Sequence, residues 1–125
     1  MALQKHNIVP AERNYEIESQ LGVAIRDRKV VRIRYDLDMH YRTFEPYIVF
    51  KALDGRILVG GFRVQDESNL FKKPGARKFE VGLITSMMIS DEFFVPNPKF
   101  KSNRTEFSNG VVFAVDVDAG KSYQY

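Results

Sequence analysis

The sequence has no cysteine and no tryptophan, and its only imidazoles are His6 and His40. Without thiols there is no disulfide framework, no sulfur nucleophile and no zinc site built on sulfur. Two histidines leave little for metal ligation or proton shuttling. Long apolar runs are missing too. The greasiest stretch, Ile57-Leu-Val-Gly-Gly-Phe62, is far below the roughly 18 residues a membrane span needs. The first ten residues contain no apolar run of signal-peptide length, so a soluble, cytoplasmic chain with no membrane partner is expected. Excess charge of one sign is small: 19 Lys and Arg against 16 Asp and Glu, a net charge of +3. That balance permits an anionic partner without demanding one.

Aromatic residues, by contrast, are plentiful: 10 Phe and 6 Tyr among 125 residues, within a composition 44% hydrophobic and 28% charged. Such a chain is one globular domain by size, long enough to bury a core without staples, and its aromatic content favours sheet. Residues 1–10 read as a loose arm. A helix follows, with Glu12, Glu16 and Glu18 at its start and Arg26, Arg28 and Lys29 at its end, matching the helix dipole. Ile17, Leu21, Ala24 and Ile25 form its apolar stripe.

Strands come next. In Val30-Val-Arg-Ile-Arg-Tyr35, Val31, Ile33 and Tyr35 alternate with Arg32 and Arg34. Arg42 to Leu53 and Arg56 to Gln65 flank the turn signal Asp54-Gly55, a hairpin. Pro46 predicts an edge, bulge or bend, and Gly60-Gly61 predicts sharp curvature. Asp66 to Ala76 is a polar loop, Arg77 to Ile89 a further strand, and Phe93 to Val95 a short one. Polar residues 99–109 lead to a strand at Val111 to Val115. The expected fold is mainly β, a small curled sheet or barrel of about five strands capped by the N-terminal helix, with one extra strand in a C-terminal extension over 101–125.

In order and spacing, six segments resemble the WYL domain, a family with an Sm-like, SH3-type barrel. They are Leu21–Ile25 with Val30–Tyr35, Arg42-Thr-Phe-Glu-Pro46, Gly55–Gly60, Arg77–Ile84, and Phe93 or Phe94 with Pro96 or Pro98 and Phe100. Arg56 and Ile57 stand where the family's tryptophan and tyrosine fall, and only Leu58 of that tripeptide is kept. Leu83 stands where a second arginine is usual. The stretch before Leu21 is too short for the DNA-reading helix-turn-helix that family members commonly carry.

The resemblance implies a domain over 11–100 that binds nucleic acid or nucleotide-like ligands in a basic groove and regulates a partner protein. It carries over Tyr35, Arg42 and Arg77, with Arg56 a new basic group nearby.

Arginine suits phosphate because its planar fork makes two parallel hydrogen bonds and keeps its charge. Among Arg32, Arg34, Arg42, Arg56, Arg63 and Arg77, the expected phosphate pair is Arg42 with Arg77. The run Lys72-Lys73-Pro74-Gly75 is the densest positive loop and would steer phosphate. Of the aromatic side chains, Tyr35 and Tyr47 are expected against a base. Asp36, Asp38 and His40 read as turn residues rather than metal ligands. No Ser/His/Asp set is present, so the expectation is a binding module, not an enzyme, with no cofactor. The competing expectation is an assembly subunit that oligomerises or pairs through the Val111 strand.

Overall fold

The computed structural model of the chain describes residues 9–118; most of the expected arm, His6 and the end of the extension lie outside them. Helix α1 (Tyr15–Asp27) begins at Asn14, whose side chain accepts the Ile17 N–H at 3.1 Å. Such a cap satisfies one of the amide donors that the first turn leaves unpaired. The helix ends at Arg28, in the left-handed region at φ 53°, whose N–H returns to the Ala24 and Ile25 carbonyls. Leu21, Ala24 and Ile25 bury the predicted stripe. Glu18, also buried, is held by two hydrogen bonds from Arg13, at 2.8 and 2.9 Å.

Six antiparallel strands follow: β1 (Lys29–Tyr35), β2 (Arg42–Lys51), β3 (Ile57–Asp66), β4 (Gly75–Glu80), β5 (Ile84–Phe93) and β6 (Val111–Ala114). Their order is β4-β3-β2-β1-β5, with β6 pairing β2. Strands β1 and β6 share one edge of β2, β1 at residues 42–44 and β6 at residues 48–50. The mainly β architecture with its helix and extra terminal strand is therefore present. The extension as far as described joins the same core through Phe107 and Val115.

Two expectations change. The sheet is open rather than a closed barrel, and the strand expected over Arg77–Ile89 is two strands separated by a 3-10 turn, Val81–Leu83. The cause is the segment before α1. The Ala11 N–H donates to Glu80 Oε2 at 2.7 Å, and a Cβ on Gly82 would lie 2.4 Å from the Glu12 carbonyl oxygen. Where that segment crosses, the chain leaves its ladder with β3 and turns to pair with β1. The end of β1 ties the corner down: the Asp36 N–H reaches the Leu83 carbonyl at 2.7 Å and the Tyr35 hydroxyl accepts the Glu80 N–H at 3.0 Å.

Cross-strand partners share a face of a sheet, which divides the molecule in two. The inner face carries Val31, Ile33, Phe44, Val49, Val59 and Phe79, buried in the main core. Ile48, Phe50 and Leu58 project from the other face and are covered by the C-terminal segment. There Phe50 meets Phe107 edge-on with ring centres 4.6 Å apart, and Tyr47 lies against Phe94 at 5.4 Å and Phe100 at 5.2 Å. Both faces of β2 are thus packed. That is why Tyr47 to Phe50 is a continuous buried run instead of an alternation. Pro46 falls at a bulge, between the pairs Pro46–Gly61 and Ile48–Gly60. Gly61 is required at that crossing, since a Cβ there would stand 2.0 Å from the Glu45 carbonyl oxygen.

Candidate functional site

Where the C-terminal segment rises off the outer face, it leaves a groove of about 730 Å³. Its floor is apolar: Ile48, Gly60, Phe62, Phe100 and Phe107. Glycine at 60 keeps that floor low, because any side chain there would fill the space between Ile48 and Lys78. Cations border the groove: Arg77 and Lys78 from β4, Lys99 and Arg104 from the covering segment. Glu106 takes up two of them, Lys78 at 2.8 Å and Arg104 at 3.5 Å. Arg77 donates only to the Ala76 carbonyl, at 2.7 Å, and neither it nor Lys99 forms an ion pair among the described residues. The remaining acid, Glu45, also lines the groove; burial pushes its carboxyl above the ordinary carboxylate range.

The residues singled out from the sequence separate into three groups. Tyr47 and Arg77 line the groove. Tyr47 is buried, with its ring against Phe94 and Phe100 and its hydroxyl accepting the Asn97 N–H at 2.9 Å, so it forms a wall, not a free stacking platform. Burial pushes its phenol above the usual value.

Tyr35, Arg42, Lys72 and Lys73 lie away from that groove, around the inner face. Tyr35 packs on Phe79 with ring centres 5.0 Å apart, and burial raises its phenol as well. The Arg42 guanidinium bonds Asp38 at 2.6 Å, reaches Asp66 at 3.9 Å and sits 5.8 Å from the Phe79 ring centre. Lys72 approaches the same Asp66 at 3.9 Å, while Lys73 contributes its carbonyl to Arg63 at 2.6 Å. Burial disfavours the charged Asp66 carboxylate, but the Ser68 hydrogen bonds and the Arg42 and Lys72 charges outweigh it, leaving its pKa lowered.

Arg56 stands alone at the β2–β3 turn, paired with Asp54 at 2.9 Å. It serves the hairpin.

Arg42 and Arg77 do share the inner side of the sheet by register. Arg42 is two residues from Phe44, Phe44 pairs Arg63, and Gly61, two residues before Arg63, pairs Arg77. Arg42, however, is already engaged by carboxylates, and Arg77 is not.

Three features escaped the sequence reading. Phe62 is the groove's available ring, 38% exposed, and its period-two place opposite Glu45 and Ala76 was the signal. Lys99 and Arg104 sit in a polar stretch whose docking over β2 no local pattern announces. Arg63, one of the strand arginines outside the expected phosphate pair, is 2% exposed. On the outer face of β1, Arg32 and Arg34 each lie 4.7 Å from the Tyr41 ring centre, and Arg32 pairs with Glu67. The turn reading of Asp38 and His40 holds, with the His40 N–H bonded to Asp38 at 2.9 Å. Among the described residues no group of three or more His, Asp or Glu is placed to hold a metal ion, and no helix is long and apolar enough to cross a membrane.

No family model, curated protein or solved structure matches this chain.

Proposed function

We propose that the chain is a non-enzymatic, WYL-like binding module that takes a nucleotide, or a short stretch of single-stranded RNA or DNA, into the groove beneath its C-terminal segment and thereby regulates a partner protein. The observation that carries this reading is an apolar, Phe62-floored groove bordered by two cations, Arg77 and Lys99, with no carboxylate of their own. A base has a π-face that stacks on an aromatic ring irrespective of sequence, and its phosphates need nearby cations. The ordered resemblance to the WYL domain supports the same reading. Relative to the sequence expectation, Arg77 keeps its role, Phe62 replaces the two tyrosines as the stacking ring, and Lys99 and Arg104 replace Arg42 and Arg56.

The test is fluorescence polarisation with labelled RNA and DNA oligonucleotides over a salt series. The expected result is binding at low salt that weakens as salt rises, with log K falling by ~0.7 per neutralised phosphate against log salt. Affinity absent at low salt, or indifferent to salt, rejects it.

A second reading, assembly through β6, is favoured by one observation: among the described residues that strand pairs only β2, and all four of its residues are exposed. Light scattering separates the two. A dimer that Val112→Lys dissociates supports assembly, and a monomer at all concentrations removes it.

A further inference from the structure

We propose a second anion site, on the inner face of the sheet and independent of the groove: a small phosphate-class oxyanion held by Arg63 and Arg42 beneath the loop over residues 67–74. The argument starts from Arg63. Its side chain is the largest of those fully buried, at 2% exposure, and it makes no ion pair with any carboxylate among the described residues. Nη2 donates to the Lys73 carbonyl at 2.6 Å, but Nε is buried without a partner. Arg42, one row away on the same face, repeats the pattern: Nη2 is bound to Asp38, and Nη1 is buried without a partner. Two guanidinium groups, one buried and one partly buried, each keep a buried donor in reserve.

The local charge does not balance. Arg42, Arg63 and Lys72 supply three cations against two carboxylates, Asp38 and Asp66. A guanidinium taken out of water without a counter-charge is strongly disfavoured unless its N–H groups and its charge are both met. Guanidinium donors match the oxygens of a tetrahedral oxyanion in spacing and charge.

The partner of Arg63 across the β3–β4 ladder is Gly75, which has no side chain, and the Arg77 guanidinium takes up that space, its Nη1 3.2 Å from where a Gly75 Cβ would stand. A third guanidinium therefore borders the same row, at its exposed end. Both reserve donors are enclosed, so the ligand that satisfies them is small. An oligonucleotide is too large.

Thermal unfolding of the full chain in sodium phosphate, against sodium chloride at equal ionic strength, tests the site. Bound phosphate stabilises the native state by mass action, so Tm should climb with the logarithm of phosphate concentration. Arg63→Met should abolish that climb and weaken phosphate at least tenfold. In phosphate-free buffer it should be no less stable than the parent, since it removes a charge with no counter-ion. Oligonucleotide polarisation should be unchanged in Arg63→Met, which separates this site from the groove. A parent Tm indifferent to phosphate overturns the proposal, as does a Met variant that keeps the response. Calorimetric titration of the parent with phosphate needs no variant: one site per chain is expected, and no binding heat at several temperatures overturns it.

Discussion

Two regions of the molecule, the row of Arg42 and Arg63 and the border of the groove, use cationic side chains to opposite ends. On the inner side, Arg42 is bound to Asp38 and approaches Asp66, and Arg63, 2% exposed, donates to the Lys73 carbonyl. At the border of the groove, Arg77 and Lys99 form no ion pair among the described residues. What separates them is not basicity but partnership and burial. A buried cation must be neutralised where it sits, whereas an exposed one is screened by water at little cost.

The largest expected effect tests the inner face. Phe44→Ala removes a fully buried ring packed edge-on to Phe79 and should cost ~3–5 kcal/mol in urea unfolding. Its neighbour in the comparison, Phe62→Ala, should leave the unfolding midpoint nearly unchanged and weaken oligonucleotide binding by about 1–3 kcal/mol. If Phe62→Ala unfolds the protein while binding survives, the assignment of the faces is wrong.

Acid provides the next probe. Asp66 has a lowered pKa in the folded state, so its contribution to stability is complete above its unfolded pKa and is lost as pH falls through the folded one. Chemical unfolding at a series of acidic pH values should show that loss, and Asp66→Asn should flatten it while lowering stability at neutral pH. A smaller effect belongs to Lys99→Gln. It should reduce the salt slope of oligonucleotide binding by ~0.7 with no change in stability. Arg104→Gln should do less, because Arg104 already shares Glu106 with Lys78.

Much of the fold was readable residue by residue. Ile17, Leu21, Ala24 and Ile25 announced α1; Val31 and Ile33 announced the inner face; Asp54-Gly55 announced its hairpin, and Pro46 its bulge. The break at Val81–Leu83 was not readable, because the contact that makes it comes from Glu12, some seventy residues earlier. The candidate site was legible only in Arg77 and Tyr47. Tyr47 reads as a stacking ring in the sequence, but Phe94 and Phe100 occupy its surroundings.

By itself the sequence determined the chain's local preferences: an amphipathic helix, then hairpin-spaced strands. Periodicity, capping and turn chemistry act over a few residues, so they can be read a few residues at a time. Which arginine is spent and which is free was decided only in three dimensions. Register placed Arg63 across from a glycine and Arg42 across from Asp66, and the return of the C-terminal segment over β2 created a groove from residues as far apart in the chain as Glu45 and Phe107. Burial and charge pairing are properties of neighbours in space, and no stretch of chain contains them.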